Sequence, residues 1–141
     1  MFFQSFHDKF PVIAEAETRT IMVFENNDFG LPADSYTFVE LFCNDPKCDC
    51  RRVFFQVFSE KRGKSEAVIY WGWENAAFYR KWMGYANKQM LTELIGPGLN
   101  VGSPQSNLAP ALLNMCAKVL LNDNTYTNRV KNHYAMFKKN K

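Results

Sequence analysis

Three cysteines crowd into eight residues: Cys43, Cys48 and Cys50 stand in the run Phe42-Cys-Asn-Asp-Pro-Lys-Cys-Asp-Cys-Arg-Arg-Val53, a Cys-x4-Cys-x-Cys spacing. Core packing rarely brings three soft sulfurs so close in sequence. Thiolates select zinc over calcium or magnesium, which take oxygen ligands. In a reducing compartment closely spaced cysteines are more often metal ligands than disulfides. The expectation is therefore a bound zinc ion, Zn2+, in a structural role. Zinc–sulfur bonds are about 2.3 Å, so the ligands must converge tightly, which a short hairpin loop can achieve at little cost in chain entropy. Asn44, Asp45 and Pro46 are turn formers that fit such a loop.

Structural zinc takes four protein ligands, and the knuckle offers three. His133 is the leading candidate for the fourth, because an imidazole is unexpected on the apolar stripe Tyr126, Val130, Tyr134 and Phe137 without a partner there. Cys116, beside Leu112, Met115 and Val119, is the second candidate, although a free cysteine usually serves as a small buried hydrophobe. His7 and water complete the alternatives. For His133 the competing reading is a core histidine hydrogen-bonded to a backbone carbonyl. The metal set expected is thus Cys43, Cys48, Cys50 and His133. Arg51 and Arg52 follow the third cysteine and read as donors around an anionic cluster or as strand-end salt bridges, with a phosphate contact as the alternative. A catalytic zinc needs a positioned base and a pocket. Asp45 and Asp49 are near, but no His-Glu-x-x-His or deaminase pattern accompanies them. A redox pair has Cys-x-x-Cys spacing, which is absent.

The elements around the knuckle read clearly. Strands are expected over residues 20–25, 35–43, 51–59 and 66–73. In the second, Tyr36, Phe38, Glu40 and Phe42 alternate against Thr37, Val39, Leu41 and Cys43. The third is apolar on both faces, as a central strand covered on both sides would be. Cys43 then ends one strand, Cys50 precedes the next, and residues 44–49 form the hairpin loop. The period changes afterwards. Helices are expected over 74–83 and 85–95, broken near Gly84 and stopped by Gly96-Pro97-Gly98. Another, capped by Ser106 or Asn107, runs to about 121, and a last one spans 125–138. Strands followed by helices give an α+β domain, an antiparallel sheet of about four strands with the helices of the C-terminal half packed on it. Residues 1–19 have weak periodicity and are expected to pack loosely.

Composition bounds the rest. The 141 residues suit a single domain, and an aromatic share of 16% supplies a core large enough that a metal need not be the sole source of stability. The net charge is +3, and after Asp123 there is no acidic residue, while Arg129, Lys131, Lys138, Lys139 and Lys141 are all basic. That tail fits a solvated helix end or a contact with nucleic acid. No apolar run approaches the ~18 residues of a membrane span, and the N-terminal residues do not read as a signal peptide, so a cytoplasmic location without membrane contact is expected. Tyr70, Trp71 and Trp73 read as core rather than as a stacking surface for bases.

The pattern Tyr36-Thr-Phe-Val-Glu40 leading to Cys43, then Cys48-Asp-Cys50-Arg-Arg52, Tyr70-Trp-Gly-Trp73, Gly96-Pro-Gly-Leu99, Pro104-Gln-Ser106 and Tyr126 through His133-Tyr134 resembles a group of small uncharacterised bacterial proteins over about residues 36–137. The resemblance implies a cytosolic bacterial protein and is consistent with Cys43, Cys48, Cys50 and His133 acting together. It brings no activity with it. The likeness to the SEC-C type of zinc motif is distant, since that motif's later cysteine pair or Cys-His pair is missing here, and its functions do not carry over. The expected function is an interaction or binding role, with protein or nucleic acid as the partner. A nucleic-acid-binding module using the basic C-terminal helix and a zinc-dependent hydrolase are the alternatives.

Overall fold

The computed structural model describes residues 3–139. Its centre is an antiparallel sheet built on three long strands: β3 (Asp34–Cys43), β4 (Arg52–Ser59) and β5 (Lys64–Gly72), once β1 (Phe3–Ser5) and β2 (Arg19–Val23) are set in place before them. The alternation read in the sequence is the alternation of burial. Tyr36, Phe38, Glu40 and Phe42 of β3, together with Val53, Phe55 and Val57 of β4, face inward. The opposite face of β4, with Phe54, Gln56 and Phe58, is only half covered.

The two strands β1 and β2 lie along the same edge of β3. β1 pairs with Leu41–Cys43 and β2 with Asp34–Phe38. Between them the chain leaves the sheet as α1 (Phe6–Lys9) and α2 (Pro11–Glu17). This segment packs closely rather than loosely. Phe6 and Ala14 are buried in the main core, and the Phe6 ring meets Phe42 edge-on at 6.1 Å. Its structure changes type every few residues, which is why no single period marks it in the sequence.

After β5 come α3 (Ala76–Met83) and α4 (Lys88–Ile95), capped by Asn75 and Asn87, whose side chains accept the amides of Phe78 and Met90 at 2.9 Å each. Gly84 ends α3 at φ +78°, a conformation that costs glycine little. β6 (Gly98–Leu99) adds a short edge to β5. Next, α5 (Ala109–Met115) continues as a π-helical turn, Cys116–Leu120. Neither Ser106 nor Asn107 caps α5. Leu108 holds the cap position, and the Ser106 hydroxyl accepts the Leu108 amide in the turn before it. The chain ends in α6 (Asn124–Lys139), whose buried side is Tyr126, Thr127, Val130, His133, Tyr134 and Phe137. α5 and α6 cover the inner face of the sheet, where Leu112, Met115, Val130 and Phe137 meet Phe38, Phe42 and Phe55. The class is α+β, as the pattern of elements implied. No helix among the described residues is long and apolar enough to cross a membrane.

Candidate metal centre

The loop between β3 and β4 carries the three sulfurs. Asp45-Pro46-Lys47-Cys48 forms its turn. The Cys48 amide donates to the Asp45 carbonyl at 3.1 Å, and the Asp45 carboxylate accepts the Lys47 amide at 2.9 Å. Proline in the second place sets the backbone angle such a turn needs. The chain then reverses again at Arg51, whose φ of +49° is rare for a residue with a Cβ. Three hydrogen bonds hold Arg51 there. Its amide donates to the Tyr134 hydroxyl at 3.1 Å, and its carbonyl accepts the Tyr79 hydroxyl at 2.9 Å and the Trp73 amide at 3.3 Å. The two reversals fold Cys48 and Cys50 back toward Cys43. The three Sγ atoms lie within 4.8 Å of one another, with Cys43 and Cys50 buried and Cys48 half-buried. All are free thiols.

Burial pushes the Cys48 thiol up to about 12, and the negative charge that Cys50 and Cys43 would carry adds to it. Cys50 is raised for the same reasons, burial first and Cys43 next. Three ionised thiols this close oppose one another unless a cation sits among them. The group can hold a metal ion.

Around the sulfurs the acidic neighbours are already engaged. Asp49 accepts the Tyr134 hydroxyl at 2.8 Å through Oδ1 and the Arg51 guanidinium at 3.0 and 3.2 Å through Oδ2. Burial pushes the Asp49 carboxyl up, but those bonds outweigh it and hold the group below its ordinary range. Arg51 also reaches Glu74 at 3.1 Å and lies over the Phe78 ring, so it is the strand-end salt bridge that its position suggested. Arg52 points elsewhere, donating to the carbonyls of Leu94 and Glu93 at the end of α4.

His133 does not come to the cysteines. Its Nδ1 lies 2.7 Å from Glu40 and its Nε2 lies 2.7 Å from Glu17, while its ring stacks on Phe6 at 4.1 Å. The reason is helical geometry. Neighbouring residues point about 100° apart around a helix axis. Tyr134 therefore faces the knuckle and His133 faces the middle of β3. Glu40 precedes Cys43 by three strand residues, roughly 10 Å along the strand. The partner of this core histidine is thus a pair of carboxylates, not a backbone carbonyl. Glu40 also accepts the Tyr126 hydroxyl at 3.0 Å, which makes Glu17, His133, Glu40 and Tyr126 one network. Sequence reasoning missed that network, although an acidic residue on the apolar face of β3 was its signal.

The other candidates also lie apart. Cys116 is buried in the main core beside Leu112 and Met115, and burial alone pushes its thiol up to about 12. His7 is exposed on α1. Among the described residues no His, Cys, Asp or Glu completes the set of three sulfurs. Two of the five cations of the basic tail bond to the fold. Arg129 donates to the Glu17 carbonyl at 3.2 Å and Lys138 to the Asp45 carbonyl at 3.0 Å. Lys131 and Lys139 are exposed, and Lys141 lies outside the described residues. No protein-family model, curated protein or solved structure matches the chain.

Proposed function

We propose that the chain is a small zinc-binding domain with an interaction or binding role, in which Cys43, Cys48 and Cys50 hold the ion at the tip of the β3–β4 hairpin. The observation that carries this reading is the convergence of three thiols within 4.8 Å. Tetrahedral zinc with 2.3 Å bonds puts its sulfurs about 3.8 Å apart, which that spacing accommodates. Three sulfur donors favour zinc over the hard divalent cations. A binding role is preferred over hydrolysis because neither nearby carboxylate is poised as a base. Asp49 is held by Tyr134 and Arg51, and Asp45 closes the turn. The anchor to the last helix is Tyr134 and Lys138 rather than His133.

Native mass spectrometry of the protein purified under reducing conditions tests this. The expected result is about one zinc per chain, lost in Cys43→Ser, Cys48→Ser and Cys50→Ser and kept in Cys116→Ala and in His133→Gln. A wild-type chain that is fully folded and free of metal would sink the proposal.

A further inference from the structure

β2 is an edge strand. It pairs with β3 on one side, and among the described residues no strand pairs with its other side. Natural sheets protect such edges with charge, proline or a cover, because unpaired amides and carbonyls template a further strand. Between its ends β2 carries neither charge nor proline. Thr20 and Met22 are exposed and Phe24 continues their alternation, with Met22 64% and Phe24 71% exposed. Beside the strand lies a cavity of about 340 Å³, lined by Ile21, Met22 and Val23 of β2 and by Phe29, Met115 and Val119. Side chains from both faces of β2 line it, so it follows the strand's edge rather than one face.

We propose that the free edge of β2 takes β2 of a second copy of this chain, antiparallel, about a two-fold axis through Met22. The sequence of the edge selects that occupant. Arg19-Thr-Ile-Met-Val-Phe-Glu25 has an apolar middle and opposite charges at equal distances from Met22. An interface on a two-fold axis is self-complementary. With the axis at Met22, that residue meets its own copy, Thr20 faces Phe24 of the second copy, and Arg19 faces Glu25 of the second copy. Moving the axis to Val23 sets Glu25 against Ile21, and moving it to Ile21 brings Glu25 beside Glu17. The charges fix register more than affinity. Arg19 is already paired with Asp123 through Nη1 at 3.0 Å, and a second, rim-exposed carboxylate adds little to that pair. Burial of Met22 and Phe24 and the new ladder of backbone hydrogen bonds supply the attraction. A contact of one short strand per copy belongs to the small, weak class of interfaces. Met22 stands opposite Ser35, roughly 27 Å along β3 from Cys43, so the interface is independent of the zinc reading.

Sedimentation equilibrium of the full chain tests this, with reductant present so that no disulfide links two copies. The expected result is a monomer–dimer equilibrium over the micromolar range. Hydrogen–deuterium exchange of alternate β2 amides should slow as the protein is concentrated. Met22→Lys, at an exposed position, sets two ammonium groups together at the axis and should abolish the dimer. Glu25→Lys sets cations opposite Arg19 at both ends and should raise the dissociation constant about fivefold. A wild-type chain that stays monomeric at every concentration overturns the inference. So does a dimer that survives Met22→Lys, or one whose β2 amides exchange as they do in the monomer. An unchanged dissociation constant in Glu25→Lys overturns the axis at Met22. None of these outcomes bears on metal binding, which native mass spectrometry reads separately.

Discussion

His133 shows how one residue can satisfy a sequence rule in an unexpected way. The rule is that a buried polar group has a partner. A neutral imidazole donates through one nitrogen only, whereas both of its nitrogens lie 2.7 Å from carboxylates, so the arrangement suits the imidazolium. Burial lowers the tendency of the ring to hold its second proton, but hydrogen bonds and charge from Glu40, then Glu17, overcome this and raise it above its ordinary value. The groups facing the ring are Glu40 from β3, Glu17 from α2 and the Phe6 ring from α1, with the Tyr126 hydroxyl on Glu40. A raised value in the folded state means that the stabilisation is fully present below the ordinary histidine range, about 6.5, and fades as pH rises through the folded value. Urea unfolding should therefore show stability falling as pH rises above the ordinary histidine range. The fall should be absent in His133→Leu. That variant leaves the buried Glu40 without its cation and should lose about 3–5 kcal/mol near pH 6. Glu17→Gln, at a side chain 44% exposed, should lose about 1 kcal/mol or less. Equal losses in the two variants would contradict the buried pairing with Glu40. The residue types of this network were legible in the sequence, Glu40 on an apolar strand face and His133 on an apolar helix stripe. Their pairing was not, because it depends on how α6 is rotated over the sheet.

Among the elements, the long strands and α6 were readable because each keeps one period for many residues. The N-terminal strand and helices were not, since each is too short to show a period, and the π turn in Cys116–Leu120 has no composition of its own. The least visible feature is the docking of α3 and α4 on β5. It turns on Gly72, where a Cβ would lie 2.6 Å from the Leu94 backbone oxygen and 2.5 Å from the Tyr79 hydroxyl. A backbone oxygen cannot rotate away, and the Tyr79 hydroxyl is the donor that holds the Arg51 carbonyl behind the knuckle. Gly72→Ala should thus cost about 1–3 kcal/mol through overpacking. It should also loosen the cysteine loop, so that zinc is lost to a competing chelator faster than from the wild type. Urea titration and a chelator exchange assay measure the two effects. An unchanged midpoint would mean that the helices can shift at no cost.

For the molecule as a whole, the question is how far the fold would depend on a metal held by the three sulfurs. A finger with little core unfolds when stripped of zinc. Here the sheet and α5–α6 enclose Tyr36, Phe38, Phe42, Phe55, Leu112, Met115, Val130 and Phe137, none of which needs an ion to pack. The knuckle sits at one end of the β3–β4 hairpin and is tied to α6 by hydrogen bonds from Arg51 to Tyr134 and from Lys138 to Asp45. Zinc should therefore add stability to a domain that folds without it. At a free concentration a hundredfold above its dissociation constant, an ion that binds only the folded state contributes about 2.7 kcal/mol. In a chain of this length that corresponds to roughly 10 °C in melting temperature. Scanning calorimetry with and without a chelator should show that shift, and the melting temperature of the zinc form should climb further as zinc is raised. The stripped protein should keep its far-ultraviolet circular dichroism at 25 °C, because the strands and helices are held by the apolar core. Collapse of that signal on chelation would make the ion a requirement of the fold. A melting temperature indifferent to chelator and to zinc would remove the metal from the three sulfurs altogether.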